Sequence, residues 1–285
     1  MTGALADSAA LPPIRRLSAA ELADCIALTD DRGWAAEPAK WQLLFAAGEV
    51  YGAPDPAGGL AGMVALTRYG SQLAAIGMLV VASRHGRQGL GGRLMQEVMT
   101  RAGGAVLVLT ATDMGRPLYE RLGFTAVDTS IQHAGVFAAK PGDGSRLVTS
   151  PLRQAGLGPV LTADAEAFGA DRRRVLTGLA GLADSFAGCG EPLTGYAAAW
   201  QNGGTRVIGP VVAPDAATAS ALISQAAAGR QGQIRLDVPG RQAELSRWLA
   251  SRGLPAARQT TLMVRGGSLP GARERLWAQA NVAIG

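Results

Sequence analysis

The chain is poor in the residues that most often carry chemistry. It has two cysteines, two histidines and, among 27 basic residues, only two lysines, Lys40 and Lys140. Cys25 and Cys189 are distant from one another and from any histidine, which excludes a thiol metal motif. Both are expected to be reduced thiols, and no metal is expected. No apolar run is long enough to span a bilayer, so no membrane partner is expected. The N-terminal "MTGALADSAALPP" lacks a basic stretch followed by an apolar one, so no secretory leader is expected. A cytoplasmic location is expected, with residues 1–12 expected as a flexible head.

At 48% hydrophobic and 17% charged, the composition is that of a globular chain. The net charge is +5 and the isoelectric point about 9.8. The positive charge is mostly arginine and is scattered. Only "DRRR" at 171–174 is dense, so nucleic acid is not an expected partner.

What is present is a strand–helix rhythm. "IRRL" (14–17) reads as a short strand, and Ser18 with Glu21 forms a capping box for a helix over 18–31. A second helix spans "PAKWQLLFAA", followed by a hairpin turning at "APDPAGG". Residues 72–83 are the strongest strand, then come a helix from Gly89, a buried strand at 105–112 and a helix at 115–124 with a glycine stop. "TAVDTSIQHAGVFA" supplies one or two closing strands. A Gly-, Pro- and Ser-rich stretch at 139–152 reads as a linker.

The second half repeats the first. Ile76-Gly77 aligns with Ile208-Gly209, and Gly123 with Gly253. The spacing predicts two copies of one fold. They differ at one loop: "SRHGRQGLGGR" in the first copy is "APDAATASA" in the second, where Asp215 is an ordinary helix cap. Tyr119 falls opposite Leu249. The "RVIGPVVAPD" and "QIRLDVP" segments read as central strands.

A helix N-terminus offers unpaired N–H groups and the positive end of the helix dipole. Glycines at 89 and 91 let a phosphate approach them, and Arg87 and Arg93 add charge-assisted hydrogen bonds. Read alone, the segment is either a phosphate cradle or an ordinary turn. A dinucleotide fingerprint fails at Leu94, and a Walker loop fails because no Gly-Lys-Ser/Thr follows.

"VVASRHGRQGLGGRLMQEV" resembles the acetyl-CoA motif of the GNAT superfamily of N-acetyltransferases, with Gly86 where that motif has Arg or Gln. "TATDMGRPLYERLGF" is similar to the family's second signature, and the two occur in the family's order. The likeness covers about residues 13–137, and the whole chain is similar to tandem GNAT proteins with a degenerate second domain.

The resemblance implies an α/β fold: two tandem domains, each a mixed, mostly antiparallel sheet flanked by helices. It implies a catalytic domain at 13–138 and a degenerate one at 153–285. It also implies acetyl-CoA as cofactor, with Leu79, Val80 and Val81 pairing its arm. Arg87, Gln88, Gly89, Leu90, Gly91, Gly92 and Arg93 would grip its diphosphate, with Arg84 or Arg87 replacing the missing side chain at 86. Tyr119 is then the general acid.

The expected activity is acetyl transfer to a primary amine of a small molecule or peptide by direct attack on the thioester. The alternative is a non-catalytic acyl-CoA-binding regulator. For the base, His133 and His85 are the histidine candidates, with Asp30, Asp31 and Glu37 near the acceptor region. Trp34, Trp41, Tyr196, Trp200 and Trp248 are either core or pocket wall. The protein is expected as a monomer or homodimer.

Overall fold

The computed structural model describes residues 13–140, 149–151, 157–229 and 232–284. The expected head at 1–12 and most of the expected linker lie outside these residues. The linker's far end is a strand: residues 149–151 pair with a strand of the second half.

The first half contains β1 (Arg15–Arg16), α1 (Leu22–Asp31), α2 (Pro38–Ala47), β2 (Glu49–Pro54), β3 (Leu60–Tyr69) and β4 (Leu73–Val81). It continues through α3 (Leu90–Ala102), β5 (Val106–Ala111), α4 (Arg116–Arg121) and β6 (Thr125–Gly135). The second half repeats this order: β7 (Thr149–Pro151), α5 (Leu157–Phe168), α6 (Arg173–Leu182), β8 (Ala183–Cys189), β9 (Gly195–Asn202) and β10 (Thr205–Val212). Then come α7 (Ala216–Ala227), β11 (Gln233–Pro239), α8 (Ala243–Ser251), β12 (Ala256–Arg265) and an added β13 (Leu276–Ala278).

Local chemistry sets the boundaries. The Ser18 amide donates to Glu21 at 2.9 Å in the expected capping box, and a short 3₁₀ turn leads into α1. Pro38 opens α2, where its missing N–H costs nothing. Gly123, at φ +83°, stops α4 in the left-handed region, as its sequence position suggested.

The strands form one mixed, mostly antiparallel sheet in the order β1-β2-β3-β4-β5-β12-β6-β11-β10-β9-β8-β7. Written as repeat units, this order is a palindrome about the β12–β6 pair. Each half surrenders its last strand to the other. β12 lies between β5 and β6, with Leu262 opposite Thr110 and Val264 opposite Val108. β6 pairs in turn with β11, Asp237 standing opposite Gln132. The second half therefore covers the edge of the first by exchange, which removes two open edges at once.

Helices α1, α2, α5 and α6 cover one face, and Trp41, Leu44, Phe168, Leu179 and Trp200 share one core there. The other face carries two separate cores, under α3 and α4 in the first half and under α7 and α8 in the second. Trp41, Tyr196 and Trp200 are fully buried, and Trp248 stacks on Phe137 with ring centroids 5.9 Å apart. Trp41, Tyr196 and Trp200 are core, not pocket wall, and Trp248 is half-buried at the margin of the second core. Trp34 packs against the first core, partly exposed.

A chain ending at residue 138 lacks β12 and so cannot join β5 to β6. Such a truncation is expected to aggregate or elute as a broad, non-monomeric species by size-exclusion chromatography. A sharp, folded monomer would show that the exchange is dispensable.

Candidate active site

β4 and β5 run parallel, but their pairing lasts only from Leu73–Val106 to Ile76–Leu109. Beyond Gly77 the strands part. Met78 sits at φ +52°, and the β3–β4 register slips there, from Ala65–Gly77 to Met63–Val80. This is a β-bulge, which re-aims the strand. Its cause is local: one residue too many between two paired stretches. Met78 and Val80 remain buried, while Leu79 and Val81 are half-buried on the core under α3. Along Met78–Val81 the side of β4 facing β5 has no partner strand. The two strands leave a gap beyond the last β4–β5 pair, and Ala283 packs against Gly77 at its floor, its carbonyl oxygen 2.5 Å from where an added Cβ would stand.

The gap leads to the loop at 83–89 and the N-terminus of α3. Gly89, at φ +81°, starts that helix with no side-chain cap. The backbone amides of Arg87, Gln88, Gly89, Leu90, Gly91 and Gly92 donate to no acceptor among the described residues; the first paired amide is Arg93's, on the Gly89 carbonyl at 3.2 Å. Added Cβ atoms at Gly89 and Gly92 would meet nothing within 4 Å, so packing does not demand glycine there. Six such amides at the positive end of a 13-residue helix are an arrangement suited to an anion, a candidate cradle.

The side chains divide. The Leu90 side chain is core. Arg87 is exposed, has no partner among the described residues and holds a positive φ of +62°. Arg93 is half-buried, with Nη1 sealed and unpartnered, an unsatisfied donor within the first turn of α3. Gln88 folds back, its amide donating to the Arg84 carbonyl at 3.2 Å.

Arg84 and His85 point away from the cradle, onto Asp55. Arg84 Nε donates to Asp55 Oδ2 at 2.7 Å, and His85 Nε2 lies 2.5 Å from the same oxygen. Arg84 therefore does not replace the side chain missing at 86, and His85 is committed to a brace. Asp55 is buried, and the Ala57 amide, His85 and Arg84 hold its pKa down at about 2. On the other side the Ser83 amide donates to Asp31 Oδ2 at 2.7 Å, and Arg32 donates to Ser83 Oγ at 2.9 Å. The loop is thus gripped from α1 and from the β2–β3 hairpin. Nothing in the sequence near Asp55 signalled this role, because its partners lie 30 residues away.

The other candidate bases are also engaged or remote. His133 is buried on the face carrying α8, with Nδ1 on the Leu254 carbonyl at 2.9 Å, and burial lowers its pKa. Its row in the sheet pairs with Leu236 and Ala256, well along β6 from the β5 terminus. Glu37 accepts from Arg235 at 2.8 Å and Asn202 at 2.7 Å and pairs with buried Lys40. It joins the two halves. Asp31 is the loop clamp, and Asp30 is exposed.

Tyr119 lies on α4, just past the end of β5. Its ring packs against Gly115, where an added Cβ would stand 3.1 Å from the ring. The residue is 9% exposed, yet no described residue hydrogen-bonds its hydroxyl, which is not sealed from solvent. Burial pushes the phenol up to about 12, so it stays protonated through neutral pH. Leu249, its counterpart, is fully buried in the second core.

The second half lacks the cradle. Asp215 caps α7 with its own carboxylate, accepting the Thr218 amide at 2.7 Å. A negative group already stands where an anion would bind.

Residues 47–140 match one acetyltransferase (GNAT) domain model and residues 160–278 match another. The chain belongs to the GNAT acetyltransferase family. It is 28% identical to the Bacillus subtilis protein described as uncharacterized N-acetyltransferase YitH, over 86% of this chain and 88% of that one. Among solved structures, it is similar to a candidate acetyltransferase from Pyrococcus horikoshii, with a TM-score of 0.80, 16% identity and coverage of 100% and 99% of the two chains. A tandem GNAT protein from the clavulanic acid biosynthesis pathway gives a TM-score of 0.61 at 15% identity, over 90% of this chain and 99% of that one. At these identities the structural likenesses show the fold. Two GNAT domains in tandem, on a mixed sheet flanked by helices, agree with the resemblance read from the motifs. No described helix is long and apolar enough to cross a membrane.

Proposed function

We propose that this protein is an acetyl-CoA-dependent N-acetyltransferase that acetylates a primary amine at the first-half cleft. The observation that carries this reading is the run of six unpaired amides at 87–92, joined to the parted β4 and β5. The residues fit the cofactor. The diphosphate suits the amides with Arg87 and the orphaned Arg93 Nη1, and the free edge of β4 at Leu79–Val81 suits the amides of its arm.

When bound, acetyl-CoA supplies an activated acetyl group as a thioester. The protein's own work is placement and proton transfer. An N–H on the unpaired edge of β4, near Val80, is the donor for charge that develops on the carbonyl oxygen. Tyr119 holds a proton on a hydroxyl that no described residue bonds, and would be the donor to a departing thiolate. The histidines are committed elsewhere, so the amine's proton leaves through water, and the rate rises with pH as the acceptor deprotonates. The reading is tested by following thiol release from acetyl-CoA over a panel of amines. Tight coenzyme A binding with no turnover on any amine would favour a regulator instead.

Asp55 acts on this reaction through the loop it holds. Asp55→Asn is expected to raise the KM for acetyl-CoA roughly 3- to 10-fold while leaving kcat within about twofold, the pattern of lost uniform binding. The carboxyl titrates near 2 when folded and near 3.9 when unfolded, so its stabilisation is full above about pH 4 and is lost as pH falls toward 2. Acid melting curves of Asp55→Asn should lack that step. An unchanged KM would remove Asp55 from the site.

A further inference from the structure

The second half should, by the symmetry of the sheet, have a cleft of its own. β10 and β11 pair only from Thr205–Gln233 to Val207–Arg235, and β10 then bulges at Gly209 and Pro210. The gap is filled by the chain itself. β13 enters it, pairing Ala278 with Val211 and Leu276 with Val212, and the Gln279 amide donates to the Asp237 carbonyl at 2.8 Å. A side chain at Gly209 would collide with the Gln279 carbonyl, so β10 is built to receive this segment.

Beside the filled cleft a pocket of about 30 Å³ remains, between the α5–α6 junction, the end of β11 and the segment leading to β13. Three arginines line it: Arg172, Arg241 and Arg273. Two are neutralised. Arg172 Nε donates to Asp164 Oδ2 at 3.0 Å, its Nη2 pairs with Oδ1 of the same carboxylate, and the Tyr196 hydroxyl shares that oxygen. Arg241 pairs with Asp128 at 2.6 Å and donates twice to the Arg273 carbonyl. Arg273 is different. Its Nε donates to the Pro270 carbonyl at 2.8 Å, it makes no ion pair, and its Nη2 is sealed without a partner. Its guanidinium lies 4.4 Å from the Phe168 ring centroid, and that of Arg172 lies 4.0 Å from the same ring. Burial, then the charges of Arg172 and Arg241, push Arg273 down to about 10, which still leaves it protonated at neutral pH.

A half-buried cation that no carboxylate pairs with is costly, and Asp164, already bound to Arg172, offsets its charge only in part. The pocket has room for about two waters, or for one carboxylate group. We propose that it is a second, non-catalytic binding site for a small oxyanion, a carboxylate or an ion of similar size, held on Arg273 beside Phe168. The rest of the lining, including Val108, Leu262 and Leu276, is apolar and strengthens the attraction by excluding water. The site shares no residue with the 87–93 cradle and does not rest on the proposed activity.

The test uses the full chain in a buffer of low anion content, with acetate and inorganic phosphate as separate probes. Acetate is expected to raise the melting midpoint of the wild type by about 2–4 °C, with saturation. Arg273→Gln should abolish the saturable rise and, without added anion, should melt at or above the wild type. A structural arginine predicts the reverse. Line broadening of ¹³C-acetate by wild type but not by Arg273→Gln reads the site independently of stability. Acetate binding without phosphate binding assigns a carboxylate; phosphate binding alone assigns an inorganic oxyanion. Equal responses of wild type and Arg273→Gln, or a linear rise in both, would overturn the proposal. Retention of the effect in a Gly89→Asp chain separates it from the first cleft.

Discussion

Replacing Gly89 with aspartate is expected to reduce affinity for coenzyme A by roughly 100-fold or more, about 2.7 kcal/mol. The substitution copies into α3 what Asp215 does in α7. There the carboxylate accepts the Thr218 amide at 2.7 Å and occupies the helix N-terminus. At position 89 the same group would compete for amides that donate to no described acceptor, and would repel a diphosphate. The fold should tolerate the change. Aspartate at φ +81° costs on the order of 1–2 kcal/mol, and a new N-cap returns about 1 kcal/mol. The melting midpoint should therefore move by no more than about 4 °C. Calorimetric titration with coenzyme A beside a melting curve separates loss of binding from loss of structure. Wild-type affinity in this variant would dismantle the cradle. The reciprocal change, Asp215→Gly, should cost the α7 cap yet create no second coenzyme A site, because β13 already occupies the adjoining cleft.

Tyr119→Phe is expected to lower kcat by about 100-fold, within the range of a lost general acid, with the KM for acetyl-CoA changed less than about twofold. The substitution removes one oxygen that hydrogen-bonds no described residue, so stability should hardly change. The phenol's pKa near 12 sets the pH dependence. A tyrosine at its ordinary value near 10 would begin to lose its proton at pH 9 and slow the reaction. Held near 12, Tyr119 stays protonated, so the rate should rise with acceptor deprotonation and show no alkaline fall before about pH 10. Full activity in the phenylalanine variant would leave Tyr119 as packing against Phe124, 6.1 Å away between centroids.

Much of the first-half site lies close together along the chain. The cradle spans seven residues and Tyr119 follows the next strand, so two short motifs sufficed to place them on strand, helix and turn. The doubling of the fold was legible for a similar reason, since each copy repeats the same local rhythm. The interactions that hold and limit the site were not legible. Asp55 reads as an ordinary turn residue until His85 and Arg84 arrive from 30 residues away. Arg84 looked as available as Arg87, and only tertiary contact separates them. Tyr196 and Trp200 could serve a pocket or a core until the sheet decides which face they take.

By itself, the sequence determined what depends on neighbours in the chain: the helix caps, the glycine entry to α3, the two repeats and the loss of the cradle in the second. Only the tertiary structure decided which strand lies beside which. Any apolar strand satisfies the hydrogen bonds of another, so nothing local in β6 or β12 specifies that each joins the opposite half. That choice follows from packing both faces of one continuous sheet at once, and the same packing laid β13 into the second cleft and left Arg273 without an ion pair.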